Sequence, residues 1–127
     1  MAEQKSMTLE SDPEQYGRYP TIDEWAAIIK HNAETHGFND HERHPAEFVT
    51  LIHSEASEVY EEFRKGNDPK MTYYSHGGKP EGIPSEIVDV IIRAIDMANY
   101  YGFNIQEAMW EKMQYNKNRP YMHGKVL

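Results

Sequence analysis

Two pairs of acidic residues, each with a spacing of three, are the residues of this sequence best suited to chemistry. Glu55 and Glu58 lie in the segment SEASEVYEEF, and Glu86 and Asp89 lie in SEIVDV. On a helix, residues three apart are neighbours about 5–6 Å apart at Cβ, so the charges of each pair repel. At an effective dielectric constant of about 20, each repulsion is of order 3–4 kcal/mol. A hard divalent cation such as Mg²⁺ or Mn²⁺ would relieve it and leave positions open for water and phosphate.

Glu55 occupies an unusual place for a charged residue. Placing residues 48–63 on a helix puts it inside an apolar stripe. That stripe comprises Phe48, Leu51, Ile52, Ala56, Val59 and Phe63. A carboxylate facing a core is costly unless a cation, an arginine or several donors meet it. The alternative is that the acids lie on solvated helix faces, the usual place of a charge run. One interpretation of Arg93 and Asp96, further along the chain, is a structural ion pair one turn from the site.

A basic tail, KMQYNKNRPYMHGK, closes an otherwise acidic chain. Lys112 and Asn116 are one turn apart on a helix face, and Arg119 follows nearly a turn later. An arginine at this place can grip a phosphate through two hydrogen bonds, so the tail is a candidate phosphate clamp that also includes Lys125. The alternative is the ordinary preference for cations near a helix C-terminus.

Four helices are predicted to position these residues. They run from Thr21 to His36, from Pro45 to Lys65, from Pro84 to Tyr101 and from Asn104 to the residue before Pro120. Thr21 with Glu24 is a capping box, prolines open the second and third helices, and Asn104 with Glu107 caps the fourth. With no alternating strand pattern, the sequence predicts an all-α protein, a four-helix bundle.

Two segments fall outside these helices. Residues 1–19 are predicted to be a flexible polar arm that orders only against a partner subunit. The loop over residues 66–83 is longer than a bundle turn requires, which leaves a lid or a variable surface loop as alternatives. As a lid, it would close Tyr73, Tyr74 and Lys79 over a ligand.

Composition limits the class of protein. The 127 residues suit one domain, and the absence of cysteine leaves only oxygen or imidazole ligands for a metal and fits a reducing compartment. A net charge of −8 argues against broad binding to nucleic acid or anionic lipid. The N-terminus lacks the apolar core of a signal peptide, and charged residues interrupt the most apolar run, 87–98. We therefore expect a cytoplasmic protein that contacts neither nucleic acid nor membrane.

The motifs together resemble the MazG-like branch of the all-α NTP pyrophosphatase superfamily. The resemblance rests on E-x-x-E in SEASEVYEE, E-x-x-D in SEIVDV, and the closing K-x-x-x-N-x-x-R-P with HGK, and it covers about residues 21–125 of a domain placed at 20–127. It implies a four-helix core assembled into a homodimer or homotetramer. The implied reaction is Mg²⁺-dependent hydrolysis of (deoxy)nucleoside triphosphates to the monophosphate and pyrophosphate, with Mn²⁺ as a substitute.

The same resemblance implies roles for individual residues. Its metal ligands are Glu55, Glu58, Glu86 and Asp89, and its substrate contacts are Lys112, Asn116 and Arg119, with Lys125 close by. Glu55 or Glu58 is expected to orient the attacking water. Many members double the first acid as E-E-x-x-E, whereas Ser54 stands here.

Several alternatives stay open. A ferritin-like di-iron protein expects E-x-x-H on two helices, and this chain contains no such motif. His41-Glu42-Arg43-His44 falls one residue short of H-E-x-x-H and is interpreted as a polar segment leading into a helix. A non-catalytic helical module for oligomerisation or regulation, with a structural divalent cation, is the remaining rival. Trp25, Trp110 and Tyr115 are expected to pack in the core or to stack on a nucleobase.

Overall fold

The structure, a computed structural model, describes residues 5–125; the outer ends of the predicted arm and domain, residues 1–4 and 126–127, lie outside the described residues. In chain order the elements are α1 (Pro13–Tyr16), α2 (Ile22–Thr35), α3 (Pro45–Arg64), β1 (Tyr73–Tyr74), β2 (Pro80–Glu81), α4 (Ile83–Tyr101) and α5 (Ile105–Asn116). Short 3₁₀ turns lie at His76–Gly78 and Tyr121–Gly124. Helices account for 63% of the described residues, so the prediction of an all-α protein is confirmed.

The helix boundaries follow local capping chemistry. The Thr21 hydroxyl accepts from the Glu24 amide at 3.2 Å while the Glu24 carboxylate accepts from the Thr21 amide at 2.9 Å, a complete capping box. The Asn104 side chain accepts from the Glu107 amide at 2.8 Å. The last helix is shorter than predicted, since α5 ends at Asn116 rather than just before Pro120.

α4 is the central helix, because it packs against both α3 and α2, while α5 packs against α2. The fully buried apolar side chains of the described chain are Met7, Ala33, Phe48, Ile83, Ile95 and Ala98. α4 is only partly covered by its neighbours, because Ile87, Val88 and Ile91 stay about half exposed. Two neighbouring helices cannot cover the whole circumference of an apolar helix.

An open apolar trough runs between α2 and α4. It is lined by Ile22, Trp25, Ile29, Val88, Ile92 and Ile95, among others. Over residues 5–125, none of the helices combines the length and hydropathy that crossing a membrane requires.

Among residues 5–125, Arg43 is the most deeply buried charged residue, with 1% of its side chain exposed. Its Nη1 donates to the Asp96 carboxylate at 2.8 Å, and its guanidinium lies 3.9 Å from the centre of the Phe48 ring. The Tyr100 hydroxyl accepts from the Arg43 amide at 2.8 Å. Arg43 therefore ties the segment before α3 to the C-terminal half of α4.

The interpretation of Arg93 and Asp96 as an ion pair is wrong. Asp96 pairs with Arg43, and Arg93 instead lies 3.5 Å from the Glu55 carboxylate. The interpretation of His41–His44 as merely a polar segment leading into α3 also missed the burial of Arg43. The reason is geometric: α4 turns Asp96 toward the loop before α3 and turns Arg93 toward the middle of α3.

The arm before α2 makes more contacts than its polar composition indicated. Met7 is buried, and its amide donates to the Glu24 carboxylate at 2.6 Å. Arg18 donates to the same carboxylate at 2.6 Å. The hydrogen bond from Arg18 is the largest of the causes that lower the pKa of Glu24 far below its ordinary value. Flexibility of the arm stays a prediction, but its described part is docked on α2 through Glu24.

We predict that Arg43→Ala lowers the free energy of unfolding by about 3–5 kcal/mol, because it leaves a buried carboxylate without its cation. Urea denaturation followed by circular dichroism measures the change. Arg64→Ala is the matched control: Arg64 pairs with Glu61 at 3.3 Å, but 65% of its side chain is exposed, so the expected loss is below about 1 kcal/mol. Equal stability of the two variants would contradict a structural role for the Arg43–Asp96 pair.

We predict a pH-dependent stabilisation from Glu24. Because its pKa is lowered in the folded state, the stabilisation is complete above the ordinary value of 4.5 and is lost as the pH falls below it. Glu24→Gln should therefore melt about 2–4 °C below the wild type at pH 7, and the gap should narrow steadily as the pH falls from 4.5 to 3. Thermal melts across this range test it, with the exposed Glu14→Gln as control; a gap that does not vary with pH would refute the assignment.

Candidate metal centre

Three of the four predicted acids meet at one place between α3 and α4. Oxygen atoms of Glu55, Glu86 and Asp89 all lie within 4.8 Å of one another. Glu55 comes from the middle of α3, whereas Glu86 and Asp89 come from the first two turns of α4. All three side chains are partly buried, so the repulsion among them is only partly screened by water.

Glu58, the fourth predicted ligand, does not belong to this triad. It is exposed on α3, one turn after Glu55. Its charge nevertheless acts on the cluster, since Glu58 is among the groups that raise the pKa of Glu86. Glu58 therefore stands at the rim of the centre, next to solvent.

The electrostatic strain of the centre is concentrated at Glu86. Burial is the largest of the causes that raise its pKa, and the charges of Asp89, Glu58, Glu62 and Glu55 follow in that order. Loss of solvation and like charges both disfavour the ionised form of a carboxyl group. A bound cation would favour the ionised form again, because its positive charge offsets both the loss of solvation and the repulsion.

Arg93 provides the positive charge nearest to the triad within the described chain. Its Nε and Nη2 both lie 3.5 Å from Glu55 Oε1, at the outer limit of a hydrogen bond. This pair answers the question raised by a glutamate inside an apolar stripe, because an arginine from α4 meets Glu55 there. It leaves Glu86 and Asp89 without a cationic partner among residues 5–125.

Glu62 is a functional candidate that sequence reasoning missed. It is only 5% exposed and lies seven residues after Glu55, hence on the same side of α3. Its carboxylate accepts from the Asn67 amide nitrogen at 2.7 Å, from the Tyr73 hydroxyl at 3.0 Å and from Lys65 Nζ at 3.2 Å. The spacing from Glu55 was a usable signal, but nothing in the local sequence indicated its three donors.

The predicted substrate contacts lie at and beyond the C-terminal end of α5, which packs on α2. Lys112 and Lys125 are exposed, and Arg119 donates to the His123 carbonyl at 3.3 Å. The side-chain oxygen of Asn116 is buried without a hydrogen-bond partner. Within residues 5–125, none of the four forms a hydrogen bond or ion pair with the acids of the centre.

The aromatic candidates differ in their surroundings. Trp25 lines the apolar trough between α2 and α4, as a core residue would. Trp110 and Tyr115 are about two-thirds exposed on α5, so the expectation of core packing is wrong for both within this chain.

The loop over residues 66–83 is more ordered than the sequence indicated. β1 and β2 pair in antiparallel fashion, with Tyr73 opposite Glu81 and Tyr74 opposite Pro80. The hairpin holds Tyr73 against Glu62, whereas Tyr74 and Lys79 point to solvent.

The donor set fits a hard cation. Three carboxylates supply oxygen ligands alone, the preference of Mg²⁺ and Mn²⁺, and no cysteine exists to favour a softer metal. Three protein ligands leave coordination positions for water and for substrate oxygens.

Comparison of the chain with protein-family models, with curated proteins and with solved structures gave no match. The resemblance drawn from the sequence motifs therefore stays a prediction.

We predict that Glu86→Gln stabilises the metal-free protein, because it removes the charge most strongly disfavoured by burial and by Asp89. The expected rise in Tm is about 2–4 °C. Adding Mn²⁺ should raise the Tm of the wild type, since a ligand that binds the folded state stabilises it, and should raise that of the variant much less. Differential scanning calorimetry measures both, with the exposed Glu34→Gln as a control for net charge. A fall in Tm on Glu86→Gln without metal would contradict the strained cluster.

Proposed function

We propose that this protein is a divalent-metal-dependent nucleotide pyrophosphohydrolase with a MazG-like bundle, which cleaves a (deoxy)nucleoside triphosphate to the monophosphate and pyrophosphate. The observation that carries the proposal is the meeting of Glu55, Glu86 and Asp89 within 4.8 Å. These residues come from two sequence motifs separated by a long loop, and each motif alone is short. Their convergence supports a common ligand, and the type of reaction comes from the resemblance.

The centre suits hydrolysis of a phosphoric anhydride. Mg²⁺ or Mn²⁺ held there would polarise phosphoryl oxygens and increase the acidity of water. In the proposed reaction a water oxygen forms a bond to the α-phosphorus, the bond from that phosphorus to the bridging oxygen breaks, and pyrophosphate leaves with the electron pair. One proton of the water passes to a base.

The residues of the chain divide this work. Glu55, Glu86 and Asp89 hold the cation, and their partial burial keeps their charges effective. Glu58 is exposed at the rim, where it can reach water, so we assign it the orientation of the nucleophile.

The basic tail and the assembly belong to the same proposal. Lys112, Asn116, Arg119 and Lys125 are proposed as phosphate contacts in a homodimer or homotetramer. Exposed apolar side chains support an assembly: Ile87, Val88, Ile91 and Ile92 on α4, and Met109, Trp110 and Met113 on α5. Apolar patches of this kind mark interfaces more often than they remain in water.

The same exposed side chains favour a second candidate, a non-catalytic helical oligomerisation or regulatory module with a structural cation. The ion pair between Arg93 and Glu55 fits this candidate too, because it partly neutralises the cluster without any metal. Turnover separates the two functions, since a structural site gives stabilisation by metal but no release of pyrophosphate.

The deciding experiment is an assay of pyrophosphate release from a panel of canonical and modified NTPs and dNTPs, with Mg²⁺, Mn²⁺ or EDTA. We expect metal-dependent release from a narrow subset, which also identifies the preferred base and sugar. No release from any nucleotide, with the protein folded and metal-loaded, would exclude the enzyme and favour the module.

We predict that Glu55→Gln and Asp89→Asn each lower kcat on the order of 10²-fold or more, the usual loss when a preorganised electrostatic group is removed. Glu58→Gln should also lower turnover with the fold intact. Glu61→Gln is the control, since Glu61 lies on the same helix, is half exposed and pairs only with Arg64. A Glu55→Ala variant that is more stable than the wild type and equally active would refute the metal centre.

A further inference from the structure

A buried hydrogen-bond junction lies beside the acidic triad. The Glu62 carboxylate accepts hydrogen bonds from the side chains of Tyr73, Asn67 and Lys65. It therefore joins the end of α3 to the loop that follows and to strand β1. The Tyr73 hydroxyl lies 3.0 Å from both carboxylate oxygens. Burial acts to raise the pKa of Glu62, but these hydrogen bonds outweigh it and the pKa is lowered. The junction therefore holds an ionised carboxylate with its bonding capacity largely used.

A short path leads from this junction to the triad. Tyr73 pairs with Glu81 across the hairpin, and the next residue, Gly82, is the N-cap of α4. The Ser85 hydroxyl donates to the Pro80 carbonyl at 3.0 Å, and the Glu86 amide donates to the Gly82 carbonyl at 3.0 Å. Tyr73 is thus linked through paired strands to the first turn of α4, which carries Glu86.

Gly82 lies so close to the segment before β1 that the start of α4 and this segment cannot easily move relative to each other. Its φ of 109° favours glycine, and a Cβ there would lie 2.6 Å from the Met71 carbonyl oxygen and 3.5 Å from the Tyr73 ring. The backbone before β1 therefore touches the start of α4. A shift of Tyr73 away from Glu62 would be transmitted to α4 rather than absorbed in the turn.

We propose that Glu62 is a positioning residue which, through Tyr73 and the hairpin, sets the distance of Glu86 on α4 from Glu55 on α3 and so tunes the divalent-cation affinity of the triad. The proposal rests on the metal centre of the proposed function and adds to it a residue outside the sequence motifs. Metal ligands depend on such outer hydrogen bonds for their orientation.

The competing role for Glu62 is that of a further metal ligand. The geometry is against it, because both carboxylate oxygens already accept hydrogen bonds and the side chain is buried. The two roles predict opposite effects of two substitutions. Tyr73→Phe removes only the hydroxyl of the junction, whereas Glu62→Gln keeps an acceptor for that hydroxyl but removes the charge that a metal ligand needs.

The test is the affinity for Mn²⁺ of the full chain, measured from the electron paramagnetic resonance signal of free Mn²⁺ in solution at room temperature. We expect Tyr73→Phe to weaken binding about tenfold, as loss of groups that orient metal ligands does. Glu62→Gln should weaken it less than Tyr73→Phe does. Tyr74→Phe is the matched control, since Tyr74 is adjacent and exposed, and it should bind as the wild type does.

Kinetics separate positioning from loss of stability. If pyrophosphate release is present, raising Mn²⁺ about tenfold should restore the kcat of Tyr73→Phe, because only the occupancy of the centre has changed. A substitution that acted on stability alone would lower Tm and leave the Mn²⁺ affinity of the folded protein unchanged. Circular dichroism verifies the fold of each variant; should Tyr73→Phe not fold, Ser85→Ala interrupts the same path at another point and should also weaken Mn²⁺ binding.

Each outcome has one meaning. Unchanged affinity in Tyr73→Phe, or in Ser85→Ala if that variant is needed, overturns the positioning role and leaves the metal centre standing. Abolished binding in Glu62→Gln with normal binding in Tyr73→Phe makes Glu62 a ligand and also overturns it. Absence of Mn²⁺ binding by the wild type overturns the metal centre of the proposed function, and the positioning role with it.

Discussion

The ion pair between Arg43 and Asp96 is the constraint on which the arrangement of the two main helices depends. A charge as deeply buried as Arg43 needs partners, and it has them. Its Nη1 donates to Asp96 at 2.8 Å and to Asn39 at 3.3 Å, its Nε donates to Glu47 at 3.4 Å, and the Phe48 ring covers the guanidinium. Because Asp96 must reach Arg43, the pair restrains both the rotation of α4 and its position along its axis. Asp89 lies two turns before Asp96 on α4, about 10 Å along the helix. The Arg43–Asp96 pair therefore also helps to place Asp89 opposite Glu55.

The centre combines two opposing demands on the fold. The helices must approach closely enough to bury Ile83 and Ile95, yet their facing turns carry Glu55, Glu86 and Asp89. The raised pKa of Glu86 reflects this conflict, since burial and the neighbouring acids both disfavour its charge. Ionisable groups with shifted pKa values are enriched at functional sites.

The sequence predicted what depends on local chemistry. Helix starts at Thr21, Pro45 and Asn104 follow from caps and prolines, and helical periodicity places Glu86 and Asp89 on one face of α4 and Glu55 on the apolar side of α3. The sequence did not predict contacts between residues far apart along the chain. Arg43 and Asp96, for example, are 53 residues apart, and either could have paired with another residue. The hairpin was missed because two-residue strands have no periodicity to detect. The position of the basic tail depends on the packing of α5 against α2, and no residue pattern in the sequence predicted that packing.

The contact between Arg93 and Glu55 makes any ion binding at the centre an exchange reaction. A guanidinium already serves as an internal counterion for one of the three carboxylates, so an incoming cation competes with it for Glu55 Oε1. The affinity for a cation would then be set by the difference between the attraction of the carboxylates for the cation and the attraction of Glu55 for Arg93. A monovalent ion such as Na⁺ or K⁺ brings no more charge than the arginine it would displace, whereas a divalent ion brings twice as much. If the cluster binds an ion, the arginine would therefore favour divalent over monovalent cations.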